Sequence, residues 1–185
     1  MITRDQAWQK VQELMANQNL IKHTLAVEAA MKAYAEHFGV PEAEREMWQV
    51  AALLHDADYE KYPERHPQVT IDWLKEQNAP EEVINAVASH GFNFEVEAKT
   101  LMAKTLRAVD ELTGLIVAVA LVRPSRKLAD VDAAAVLKKW NEKGFARGAN
   151  RRDIERGAAE IGVPLEKHIE IVLTAMQTIS EQLGL

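Results

Sequence analysis

An all-α fold is predicted by three features of the chain. Apolar residues recur at three- and four-residue spacing, capping residues precede those stretches, and glycine and proline fall mainly between them. No stretch alternates apolar and polar residues convincingly enough for a strand. Thr3 and Gln6 form a capping box for a first helix reaching about Ala16. Asn19 is a candidate cap for a second helix, which Gly39 and Pro41 stop. A third runs from about Pro41, suited to a first turn, to Asp56. The run DYEKYPERHP, residues 58–67, breaks the period and reads as a loop. Further helices are expected at about 68–77, 80–89, 98–122, 130–140, 151–161 and 165–183, with Gly114 and Gly157 inside them.

At 185 residues and 20.7 kDa the chain is the size of one domain, able to bury a core without staples. It has no cysteine, which excludes a disulfide scaffold, a zinc finger and a cysteine nucleophile. Any metal must therefore take nitrogen and oxygen ligands. The start, MITRDQAWQK, lacks a signal-type apolar stretch. The longest apolar run, Leu115 to Val122, is far short of the roughly 20 residues that span a bilayer. These features predict a cytoplasmic protein with no membrane partner. A net charge of −6 argues against a nucleic-acid polymer as partner. The charge is uneven: residues 1–122 carry net −8, residues 123–152 net +6, and residues 153–185 net −4. The basic segment is either a docking place for an anionic ligand or a solvated face.

Histidine and aspartate fall at unexpected places in the helical period. His23, Val27, Met31, Tyr34 and Phe38 share one stripe; Ala103, Leu106, Asp110, Thr113 and Val117 share another. His55 and Asp56 end a helix after the apolar run 50–54, and His90 ends another on the stripe of Val83 and Val87. A carboxylate on a core face is costly unless paired or bound to metal. Taken singly, each has an ordinary reading. A lone inward histidine is usually a hydrogen-bonded core residue, Asp110 can cap a neighbouring helix or pair with Arg107, and a His-Asp dipeptide arises by chance. Their joint occurrence, with His66 in the loop, is what points to a site. His37 and His168 have no such neighbours and read as surface or helix-end residues.

The order His23, His55-Asp56, Asp110 resembles the H…HD…D set of the HD superfamily of metal-dependent phosphohydrolases, an all-α fold. AALLHDADYEKYPERHP is similar to its core motif and KTLRAVDELTGLIVAVALVRPS to its terminal aspartate helix. The resemblance covers about residues 20–125, leaving about 126–185 as a C-terminal helical extension of one 185-residue unit. Within that extension, NEKGFARGANRRDIERG resembles a small subgroup of predicted HD hydrolases. The resemblance implies that His23, His55, Asp56 and Asp110 bind a divalent metal. Two imidazoles and two carboxylates suit Mn, Fe, Co, Ni, Zn or Mg without choosing among them. Such an ion lowers the pKa of bound water and polarises a phosphoryl oxygen.

Some HD families add two histidines and hold two ions, which would make His66 and His90 a second site with Asp56 bridging. The spacing departs from that pattern: His66 follows Asp56 by ten residues, and Gly91 follows His90. His66 can equally be a phosphate-binding or loop-packing residue. Asp58 is a candidate catalytic residue holding the attacking water, a group orienting a ligand imidazole, or a loop-start cap. For substrate phosphate the candidates are Lys61, in the same loop, and Arg123, Arg147 and Arg151 in the basic segment. Arg123 starts about 20 Å along its helix from Asp110, whereas Gly144 and Gly148 would let the loop around Arg147 close on an anion. The leading function is hydrolysis of a phosphate ester of a small metabolite or nucleotide. An HD-type di-iron oxygenase uses the same order of residues, and a non-catalytic metal-containing binding domain is the third reading.

Overall fold

The computed structural model describes residues 2–142 and 144–185; Lys143, one of the basic-segment residues, lies outside them. Every described regular element is a helix. The chain order is α1 (Arg4–Leu14), α2 (Gln18–His37), α3 (Glu42–Leu54), α4 (Gln68–Glu76), α5 (Glu81–Ala88), α6 (Leu101–Leu121), α7 (Ala133–Trp140), α8 (Arg151–Glu160), α9 (Leu165–Gln177) and α10 (Ser180–Leu183). Short 3₁₀ turns sit at Pro63–Arg65 and Leu128–Asp130.

Local chemistry sets the ends of these helices. Thr3 accepts from the Gln6 amide at 3.3 Å while Gln6 Oε1 accepts from the Thr3 amide at 2.9 Å, completing the expected capping box. Asn17, not Asn19, caps α2, and its side chain takes the Asn19 amide. Thr100 and Asp132 cap α6 and α7, so both helices begin about three residues later than the periodicity suggests. A side-chain cap stabilises a helix start by roughly 1 kcal/mol, enough to fix a boundary the apolar pattern leaves open. The single helix expected at 165–183 is two, α9 and α10, separated by Thr178 and Ile179.

The long helices α2 and α6 form the centre. α3 and α9 pack on α2, α5 and α8 pack on α6, and α2 and α6 touch each other. Their shared core includes Val27, Met31, Leu53, Leu54, Leu106, Leu112, Ile116 and Ile169. α8 comes unusually close to α6: a Cβ on Gly157 would lie 2.6 Å from Ala108 Cα. Only glycine allows that approach. His168 corrects the sequence reading of a surface residue. It is fully buried, its Nε2 donates to the Ala108 carbonyl at 2.9 Å, and Tyr34 Oη donates to its Nδ1 at 2.5 Å. It thereby ties α9 to both central helices. His37, at the end of α2, is exposed as expected. Among the described residues no helix is long and apolar enough to cross a membrane.

Candidate metal centre

Five segments bring six polar side chains together. His23 projects from mid-α2 and Asp110 from mid-α6. His55 is the C-terminal cap of α3, with Asp56 next in the chain. His90 follows the cap of α5, and His66 stands at the end of the 58–67 loop, after its 3₁₀ turn. Helix ends and mid-helix stripes that the sequence keeps far apart thus meet at one point between α2 and α6.

The donors fall into two groups, His23, His55 and Asp110, and Asp56, His66 and His90. In the first, His23 Nε2 lies 3.0 Å from Asp110 Oδ1 and 3.4 Å from His55 Nε2. In the second, His66 Nε2 and His90 Nε2 are 3.3 Å apart, each 3.4 Å from Asp56 Oδ1. The other Asp56 oxygen, Oδ2, turns to the first group, 3.6 Å from His23 Nε2 and 3.5 Å from His55 Nε2. Donors roughly 2.1 Å from a common ion, at tetrahedral or octahedral angles, stand about 3.0–3.4 Å from one another. The spacing therefore fits a divalent ion in each group, with one Asp56 oxygen toward each.

The opposite ring nitrogens fix the tautomers. His55 Nδ1 donates to the Ala52 carbonyl at 2.6 Å and His90 Nδ1 to the Val87 carbonyl at 2.6 Å. His66 Nδ1 donates to Asp58 Oδ1 at 2.7 Å. The Thr113 hydroxyl donates to the Asp110 carbonyl at 2.8 Å, so its oxygen accepts from His23 Nδ1 at 3.3 Å. With every Nδ1 carrying the hydrogen, four Nε2 lone pairs converge beside two carboxylates. Such an array repels itself unless a cation sits within it. Without an ion, a proton on His55 takes that place, drawn by the two carboxylates. Burial opposes charge on His55, yet Asp56 and Asp110 outweigh it and push its pKa up to about 9. Burial likewise opposes ionised Asp110, but His23 and His55 hold it well below the usual carboxylate range.

The remaining sequence candidates separate clearly. Asp58 is fully buried behind His66, one oxygen on that ring and the other accepting from the Thr70 amide at 2.9 Å. It can orient His66 but has no free oxygen for an attacking water. Lys61 turns away and donates to the Glu13 carbonyl at 2.6 Å. Arg151 gives its guanidinium to the carbonyls of Phe145, Ala146 and Ala149, which makes it a staple of its own loop. Arg123 lies past the end of the unbroken α6, and Arg147 is exposed with its guanidinium against Gly144. Arg107, a possible partner for Asp110, pairs instead with Glu160 and lies over the Phe92 ring.

A cavity of about 440 Å³ opens on the first group, lined by His23, Asp56, Asp110, Glu111, Gly114, Ala146, Gly148 and Ala149. The basic segment does reach the site, through the backbone and methyl groups of residues 146–149 rather than through arginine. Glu111 and Thr113 are functional candidates that sequence reasoning passed over. Their signal was available: a carboxylate beside Asp110, and a hydroxyl three residues on from it on a buried stripe. Burial raises the Glu111 carboxyl, helped by Asp110 and Asp153, against a backbone hydrogen bond from Asn150.

Neither a curated protein nor a solved structure matches this chain. A family model does: the HD domain matches residues 20–115, the stretch that runs from the start of α2 through Asp110. The match covers more than half of the sequence and contains all six converging side chains, and the chain belongs to the HD domain family.

Proposed function

We propose that this protein is a metal-dependent phosphohydrolase that cleaves a phosphate ester of a small metabolite or nucleotide. The carrying observation is Asp56, whose two oxygens face separate donor groups 3.4–3.6 Å away. Such a carboxylate can hold two divalent ions side by side, drawn from Mn, Fe, Co, Ni, Zn or Mg. His23, His55 and Asp110 would hold one and His66 and His90 the other, with Asp56 shared. When bound, the ions would supply an activated water and neutralise charge on the phosphoryl oxygens.

The chain's own groups complete the site. Thr113 and Asp58 fix the rings of His23 and His66, which keeps their Nε2 lone pairs aimed inward. Glu111, its carboxyl raised by burial, stands in the cavity wall as a group able to carry a proton to or from the reacting oxygen. Ala146, Gly148 and Ala149 form one wall of the cavity. We read residues 1–185 as one unit, with a core of about 20–125 and a C-terminal helical extension of about 126–185.

One observation favours a second reading. Among the described residues, no lysine or arginine lines the 440 Å³ cavity, and the six-donor order also suits a di-iron oxygenase. The two are separated by loading the protein with Mn²⁺ or Fe²⁺ and presenting a panel of phosphorylated metabolites. Phosphate release that needs the metal and is lost in Asp56→Ala supports the hydrolase. Oxygen consumption by the iron form, without phosphate release by any metal form, overturns it.

A further inference from the structure

The face of α6 that bears Asp110 continues as Gly114, Val117 and Leu121, at spacings of four, three and four residues. Only Asp110 belongs to the metal centre. The other three line a second cavity of about 300 Å³, closed by Ala26 of α2 and by Leu183, Gly184 and Leu185. His23 and Gly114 line both cavities, so the second lies directly beside the first. Its walls are mainly aliphatic, and Lys22 is the one lysine or arginine among the described lining residues of either cavity.

Gly114 is the informative residue. It sits in the interior of a 21-residue helix, where glycine is among the poorest formers. A Cβ there would meet nothing within 4 Å, in contrast to Gly157, whose Cβ would strike Ala108. The packing of the protein therefore gives no reason for glycine at 114. A side chain there would project where the two cavities adjoin.

We infer that this aliphatic slot receives the apolar body of the substrate while its anionic head lies on the metal centre, so that Gly114, Val117 and Leu121 set substrate choice. The substrate class is a small amphiphile, an anion on a short alkyl chain or a single ring. A slot of this size lies at the lower end of small-molecule sites. The inference rests on the metal centre being the reacting site. The phosphate head is the part taken from the proposed hydrolase function.

Calorimetric titration of the Mn²⁺-loaded protein tests it, with methylphosphonate against hexylphosphonate and acetate against heptanoate. Each methylene buried in an apolar slot strengthens binding, and five should give at least a tenfold gain for the hexyl compound. In Gly114→Leu and Val117→Phe the hexyl-to-methyl ratio should fall below about threefold. Leu121→Glu, at a half-exposed position that tolerates charge without unfolding, should reduce it as well. A ratio near one in the wild type for both head groups, or a tenfold preference surviving in all three variants, overturns the slot. So does the absence of binding by all four compounds. If the chain-length preference holds but phosphonates bind no better than carboxylates, the slot stands and the phosphate reading falls.

Discussion

Replacing His168 with glutamine should change how stability depends on pH. Burial pushes the imidazole down to about 4, against a hydrogen bond to the Ala108 carbonyl that favours its protonated form. In the unfolded chain the same group titrates near 6.5. Between those values the unfolded chain binds the proton and the folded protein does not, so stability is lost as pH falls through that window. The full effect is roughly 3 kcal/mol, of which about 2 kcal/mol is lost between about pH 7.5 and about pH 5. His168→Gln has no such titration. Near neutral pH it should be less stable by roughly 1–3 kcal/mol, because the hydrogen bonds to Tyr34 and Ala108 are disturbed. Its loss on acidification should be smaller than the wild type's by about 2 kcal/mol. Urea denaturation of both proteins across that range gives the difference, in which every other titrating group cancels. Parallel stability curves would refute the reasoning and mean that His168 stays as easily protonated in the fold as outside it.

Two further outcomes follow from particular contacts. Thr113→Val keeps the shape of the side chain but removes the acceptor for His23 Nδ1, and should weaken metal affinity about 10–100-fold with helical circular dichroism retained; unchanged affinity in a metal-competition titration would count against it. Gly157→Ala places a methyl 2.6 Å from Ala108 Cα, and should cost roughly 1–3 kcal/mol, seen as a melting temperature lower by about 2–10 °C; a stabilised variant would show that α6 and α8 can separate freely.

The parts legible in the sequence are those with a local signal. His23 and Asp110 stand on apolar stripes and His55-Asp56 and His90 at helix ends, and all five lie in the cluster. His66 is readable as a second-site donor only through the family resemblance, with a phosphate-binding or loop-packing role open beside it. What brings it in is the return of the 58–67 loop, held by Asp58 with one oxygen on the ring and the other on the Thr70 amide. His168 was misread because its partners are remote in the chain: Tyr34 lies 134 residues away and Ala108 60. Nothing near position 168 announces them. Arg151 misled for a different reason. Charge composition records that a segment is basic but not that a guanidinium is already spent on the carbonyls of its own loop.

The central claim is that one aspartate serves two ions. Elemental analysis of the protein after loading with Mn²⁺ or Fe²⁺ and removal of free metal tests it most directly. The account predicts close to two ions per chain, because His23, His55 and Asp110 stand on one side of Asp56 and His66 and His90 on the other. In His90→Ala the ratio should fall close to one, and in Asp56→Ala below the wild-type value at any metal concentration. A saturating ratio of one in the wild type, or one that His90→Ala leaves unchanged, would contradict it.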